Sequence, residues 1–276
     1  MKKNIKPTGI LALRFRNAMI RLLFFCIAVL VCAWFLLECR VQTLTVENLN
    51  HVAEPTVIDA VNIRPGRHLF AIREKKLVSN VTACSPYIRS VSFKRTLPTT
   101  VTISVEEYDL AYFIFFEGTY YLLSADLIVL EETTPEDAAY YGAAPLLMPP
   151  ITAPKPEKDA PENVPVKLIL GKTPTFKTKS DLAWSQALLK SIHTCGFSDK
   201  ITSVDISDPF EIRLSVSDKY EILLGNEKDM DKKLARVNDA LNYLSESIYG
   251  VKGTIFARSD APVTFEIKGT ISNGVS

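Results

Sequence analysis

VSFKRTLPTTVTISVEE, residues 91–107, is the stretch on which the reading of this chain turns. Val91 and Phe93 alternate with polar residues. The run then breaks at a basic, proline-containing tip, and Val101, Ile103 and Val105 alternate again. Successive side chains of a strand point to opposite faces. The spacing therefore predicts two strands joined by a short turn, one face apolar, with Lys94, Thr102, Ser104 and Glu106 toward water.

Working outward, the preceding residues complete a small domain. VQTLTVENL, from Val41, sets Val41, Thr43 and Thr45 against Gln42, Leu44 and Val46 and suits a strand. EPTVIDAVNI carries Pro55 where a first helical turn tolerates it, places Val57, Ile58 and Val61 on one face, and is stopped by Arg64-Pro65-Gly66. A second helix, from about Arg73 to Ala83, aligns Leu77, Val78 and Val81 and ends ahead of Pro86. Residues 40–108 thus read β-α-α-β-β.

Further upstream, LLFFCIAVLVCAWFLL (Leu22–Leu37) is sixteen uncharged residues. At about 1.5 Å per residue that is ~24 Å of a hydrocarbon layer ~30 Å thick. Extension back to Met19 adds a turn, with Arg21 snorkelling to the headgroups. A cleaved signal would need a small-residue exit, and here the exit is Trp34-Phe35-Leu36-Leu37-Glu38-Cys39. The expectation is a transmembrane helix over 19–38 after a basic cytoplasmic tail, 1–18. Residues 1–37 hold six basic residues and no acidic one. The positive-inside rule then places residues 40–276 outside the cytoplasm. The whole chain has net charge +1, so the remainder is mildly acidic and carries no footprint for nucleic acid. Of five cysteines only Cys84 and Cys195 lie in the ectodomain, too few for a disulfide framework.

Beyond Leu110 the pattern is mostly strand: AYFIFF, TYYLLS and LIVL, then VKLIL at 166–170, SVDIS, FEIRLSV and KYEILLG, and last GTIFA and VTFEIK. Two helices interrupt it. One runs from Ser180 to about Thr194. The other repeats Met230, Leu234, Val237, Leu241, Leu244 and Ile248 as one apolar stripe, suited to packing on its own domain's sheet. Residues 131–165 hold eight prolines, which deny a sheet its donors, and are expected to form an extended, mobile loop whose apolar middle, AAPLLMPPI, also suits lying along the domain surface. The fold class is α+β: a single N-terminal transmembrane helix, a β-α-α-β-β domain at 40–108, a mainly antiparallel β-domain with two helices at 109–268, and a flexible tail at 269–276.

Little here promises catalysis. Gly171-Lys172-Thr173 follows an expected strand, but a phosphate-binding loop needs glycine five positions before Gly171 and a helix after the threonine; Val166 and Pro174 stand there. His51, His68 and His193 are scattered and lack metal-ligand spacing. Glu106 and Glu107 are strand neighbours facing opposite ways. No GxSxG elbow is present. The expectation is no enzyme, no cofactor, no metal and no small-molecule substrate.

Three stretches resemble a known family. VENLNHVAEPTVIDAVNIRPGRHLFAI and SPYIRSVSFKRTLPTTVTISVEE are similar to the POTRA domain of the bacterial division proteins called DivIB or FtsQ, with Arg95, Pro98, Thr100, Ile103 and Val105 in the family's hairpin positions. VDISDPFEIRLSVSDKYEILLGNEKDMDKKLARVNDALNYL resembles the family's second domain, with Gly225, Lys233 and Leu234 in register. Tyr108-Asp109-Leu110-Ala111 departs from it after the hairpin, and Phe256 stands where the family has aspartate, with Arg258 retained. The resemblance implies a non-enzymatic scaffold of septal cell-wall synthesis at the division septum. It implies complexes with the bitopic proteins FtsL and DivIC or FtsB and, through them, the synthases FtsW and FtsI. The alternative is a POTRA-type protein of polypeptide secretion or envelope chaperoning. The candidate partner-binding residues are the closing strand, Val263, Thr264, Phe265, Glu266 and Ile267, with Arg258. Its expected edge position leaves Thr264, Glu266 and Phe265 outward. The hairpin tip, Lys94, Arg95 and Pro98, is a second candidate.

Overall fold

The computed structural model describes residues 8–152, 167–247, 251–258 and 262–268. It opens with helix α1, Thr8–Glu38, whose portion Arg16–Glu38 is long and apolar enough to cross a membrane. This one N-terminal apolar helix fits a single-pass membrane protein.

The chain divides into two compact units, the first holding α1 with the residues up to Cys84 and 90–106, the second holding residues 85–89 and those from Glu107 onward. The first contains β1 (Thr43–Glu47), α2 (Glu54–Val61), α3 (Glu74–Cys84), β2 (Ile88–Thr96) and β3 (Thr100–Glu107). The order across its sheet is β1-β3-β2. β1 runs parallel to β3, from Thr43 opposite Thr100 to Glu47 opposite Ser104. Helix α2 starts with Pro55 in its first turn and stops where Asn62 turns left-handed, returning its N–H to Ile58 O. The alternation in β3 is realised: Val101, Ile103 and Val105 are buried with Val57, Val61, Leu77 and Val81 from the helices. Each such burial stabilises by roughly 1.5–3 kcal/mol.

The second unit is one large mixed sheet with helices. Its elements are β4 (Leu110–Phe116), β5 (Thr119–Ser124), β6 (Val129–Thr133), α4 (Pro135–Tyr140), β7 (Ala144–Leu147), β8 (Ile151–Thr152), β9 (Thr175–Phe176), α5 (Lys179–His193), β10 (Ile201–Asp205), β11 (Ile212–Val216), β12 (Tyr220–Gly225), α6 (Met230–Ser247), β13 (Gly253–Phe256) and β14 (Thr264–Ile267). The order across the sheet is β14-β13-β12-β11-β10-β7-β4-β5-β6, and β8 pairs with β9 separately. Junctions β7–β10, β4–β7 and β12–β13 are parallel and the others antiparallel. The α6 stripe, Met230, Leu234, Val237, Leu241 and Leu244, is buried in one core with Leu188, Leu189 and Ile192 of α5 and Ile212, Leu214, Ile222 and Ile255 of the sheet. Ile248 of that stripe lies outside the described residues.

Three expectations are corrected. Residues 131–152 are not an irregular loop: they finish β6, form α4 and supply β7, which joins the strands of the two halves. Proline denies a sheet its donors. Pro145, however, points an exposed ring outward while Ala144 and Leu146 are buried, and so short a strand loses only one donor. The rest of that segment, 153–165, lies outside the described residues. VKLIL is not a strand over its described part, 167–170; the strand comes later, as β9. The short α4 adds a third helix to the two expected.

Candidate functional site: the free margin of the large sheet

The closing strand stands where the order of the sheet ends, beyond β13. β14 pairs with β13 antiparallel, Phe265 opposite Ile255 and Glu266 opposite Thr254. The direction of its backbone groups can be worked out. Lys268 N–H donates to Lys252 O at 2.8 Å, whereas Gly253 N–H turns the other way, to Lys219 O at 3.0 Å. Because an antiparallel ladder alternates, Thr264 and Glu266 direct their backbone groups to β13 along with Lys268. Val263, Phe265 and Ile267 direct N–H and C=O away from the sheet. Among the described residues no strand lies on that side.

The side chains divide the other way. Val263 and Phe265 pack against the core, and the Phe265 ring meets Tyr220 edge-on with centroids 6.0 Å apart. Phe265 is therefore not one of the outward specificity residues; it fastens the strand. Thr264 and Glu266 are exposed, and Ile267 remains 45% exposed. Gly253 makes this seating possible, since a Cβ there would lie 2.3 Å from Glu266 O and 2.5 Å from a Phe265 ring carbon. Lys268 forms an ion pair with Glu221 and so fastens the strand's end across β13.

Arg258, beyond the end of β13, lies over the Phe256 ring at 5.7 Å and forms an ion pair with Glu211. Its methylenes sit 3.3 Å from where a Cβ of Gly225 would be, so it covers the left-handed turn that ends β12. Lys233, which the helical pattern gave no reason to separate from its neighbours, is 2% exposed. Its ammonium donates to Leu224 O (2.9 Å), Asn226 O (2.7 Å) and Asn226 Oδ1 (3.1 Å), tying α6 to the same turn.

The opposite margin is built differently. At β6, Val129 N–H donates to Lys172 O (3.0 Å) and Gly171 N–H to Val129 O (2.7 Å), while Leu168 N–H reaches Tyr121 Oη at 3.4 Å. Residues 167–172 thus cover the start of that edge. The donor that a phosphate loop would turn to its ligand is occupied, which gives the Gly-Lys-Thr stretch a structural role.

The POTRA hairpin also separates its candidates. Lys94 and Pro98 are exposed. Arg95 is not a free tip: it turns back over Phe93 at 4.7 Å, donates to Ile72 O at 3.0 Å and lies 3.8 Å from Glu74. Strand parity puts it on the helix-covered face with Phe93.

Neither Cys195 nor Tyr112 is primed as a nucleophile. Burial pushes the Cys195 thiol up, and burial, with a smaller contribution from Cys195, pushes the Tyr112 phenol above its usual range. A nucleophilic thiolate requires the opposite shift. His193 lies 3.9 Å from the exposed Asp109 carboxylate. No group of three His, Cys, Asp or Glu residues able to hold a metal ion occurs among the described residues.

The β-α-α-β-β order with its β1-β3-β2 sheet, next to an apolar helix, defines a known module, and the family model of the FtsQ-type POTRA domain matches residues 39–108. Residues 39–108 form an FtsQ-type POTRA domain. This match, over 70 of the 276 residues, supports a DivIB/FtsQ-type protein with a division-related role. No curated protein matches the chain.

Proposed function

We propose that this FtsQ-type POTRA protein is a non-enzymatic scaffold of the division machinery, anchored by α1 with its N-terminus in the cytoplasm and enriched at the septum. The observation that supports this most directly is the β14 margin. Its outward N–H and C=O groups on Val263, Phe265 and Ile267 suit pairing with an added strand, a mode in which the main chain supplies affinity and alternate side chains supply specificity. Thr264, Glu266 and Ile267 are the side chains left to select the partner. The family resemblance makes FtsL and DivIC or FtsB the expected partners, with FtsW and FtsI reached through them. Arg258 serves this surface indirectly, by holding the turn beside β12. On the POTRA hairpin, Lys94 and Pro98 are the groups available to a second extracytoplasmic partner.

The test uses the alternation. Ile267→Pro in the full chain removes an outward donor and leaves the inward donors of Thr264, Glu266 and Lys268 in place, whereas Glu266→Pro breaks the β13 ladder itself. Ile267→Pro is expected to keep the melting profile and to lose co-purification with FtsL and DivIC or FtsB. Unchanged co-purification by Ile267→Pro would remove β14 as the docking strand. An even envelope distribution of a fluorescent fusion in dividing cells would remove the division role.

A further inference from the structure

The POTRA domain holds a second feature, one that does not depend on strand pairing. Between the end of α2 and the first turns of α3 lies a groove of about 360 Å³ whose lining includes Arg67, Arg73, Lys76, Asn62 and Asn80 and no acidic residue. From Val61 to Asn80 the sequence carries five Lys or Arg and a single acid, Glu74, and that acid is turned to Arg95. Arg67, Arg73 and Lys76 are exposed, and no ion pair engages them among the described residues.

The loop that carries Arg67 is bonded to the exit of the apolar helix. Leu36 O, in the last turn of α1, accepts from His68 Nε2 at 2.8 Å. Leu69 N–H donates to Cys39 O (2.9 Å), Val41 N–H to Arg67 O (2.9 Å) and Gly66 N–H to Val41 O (2.8 Å). These bonds hold residues 66–69 beside the residues that leave the bilayer, at headgroup depth. Next to them Phe70 is 53% exposed and tilts against His68 at 5.9 Å, an apolar side chain at the height where such groups enter the interface. Charge is also segregated along the chain. Residues 39–108 hold nine basic and six acidic residues, and residues 109–276 hold seventeen and twenty-four. The positive excess outside the cytoplasmic tail therefore lies in the domain next to the membrane.

We infer that Arg67, Arg73 and Lys76 form a binding site for the phosphate of an anionic phospholipid headgroup, seating the POTRA domain on the bilayer. Guanidinium groups match phosphate geometry, the asparagine amides can donate to remaining oxygens, and the anionic surface concentrates the ligand. The inference rests on α1 spanning a membrane and is independent of the division role.

The test places the full chain in lipid nanodiscs of phosphatidylcholine, with or without about one-third phosphatidylglycerol, and follows hydrogen exchange in residues 61–80. Phosphatidylglycerol is expected to slow exchange there and leave β3 unaffected. A basic side chain at an anionic surface usually contributes about fivefold in affinity, so Arg67→Gln, Arg73→Gln and Lys76→Gln together should weaken binding on the order of 100-fold and abolish the protection. Lys94→Gln, exposed but outside the groove, should change it by less than about twofold. Equal exchange in the two lipids overturns the inference, as does protection that survives in the triple variant. Inorganic phosphate added to phosphatidylcholine discs is expected to give no protection; if it reproduces the effect, the site serves free phosphate and the lipid assignment fails. The comparison of the two lipids in the unaltered chain decides the matter even if the triple variant folds poorly. Release of the chain by alkaline carbonate would instead remove the membrane span on which the inference rests.

Discussion

Gly253→Ala probes how the docking strand is held. The added methyl would stand 2.3 Å from Glu266 O and 2.5 and 2.6 Å from two ring carbons of Phe265, where ordinary contact begins near 3.4 Å. β14 must therefore withdraw by about 1 Å, and the 2.8 Å bond from Lys268 N–H to Lys252 O then passes beyond hydrogen-bonding range. The Phe265 ring also leaves Tyr220. An enclosed phenylalanine removes roughly 150–250 Å² from water, and a half-buried one about 100 Å². At ~25 cal/mol/Å², discounted for residual burial in the open state, that is about 2 kcal/mol. A local loss of that size raises the open population roughly 30-fold. Hydrogen exchange at Thr264, Glu266 and Lys268 should accelerate by that factor, while amides of β11 and β12 keep their rates. Partner capture should fall with it, since the partner would have to order β14 before pairing with it. Unchanged exchange in Gly253→Ala would refute the close seating of β14 on β13, and with it the assignment of Val263, Phe265 and Ile267 as the outward groups.

Arg95→Ala strips Ile72 O of its donor and uncovers Phe93, so the POTRA domain should lose about 1–3 kcal/mol, read as a lower melting temperature, whereas Lys94→Ala should stay within about 0.5 kcal/mol. Lys233→Met leaves the buried Leu224 carbonyl without its ammonium; about 2 kcal/mol is expected to go from the C-terminal domain in urea unfolding, with the POTRA transition unmoved. The Tyr112 phenol is raised first by burial, so the folded state holds its proton more tightly than the unfolded chain does. Its contribution is complete below the ordinary tyrosine value of about 10 and is lost as pH climbs past it. Tyr112→Phe should therefore move the alkaline unfolding midpoint upward, and phenolate absorbance assigned to Tyr112 should appear only with unfolding.

Local pattern sufficed wherever one element's own residues determine its shape. The alternation of Val101, Ile103 and Val105 and the stripe from Met230 to Leu244 each carry a period that burial imposes on a single strand or helix, and the apolar run from Leu22 to Leu37 is marked by its length and lack of charge. The same logic makes VTFEIK a strand, and β14 forms there. It failed where position depends on a distant partner. β7 lies within a proline-rich segment and gains its place only by pairing in parallel with β4 on one side and with β10, far along the chain, on the other. Parallel neighbours are never adjacent in sequence, so no local period announces them. Arg95 reads as a charged tip until α3 brings Glu74 and the Ile72 carbonyl beneath it. Lys233 and Gly253 look ordinary in the chain; one is buried by carbonyls from a turn seven to nine residues away, the other by a ring from the next strand. Composition and periodicity settle the long, strongly periodic strands and helices and that one segment is fit for a membrane. Which backbone groups stay unpaired, and which cations stay uncompensated, follows from contacts between segments, because only the folded chain determines which groups find partners.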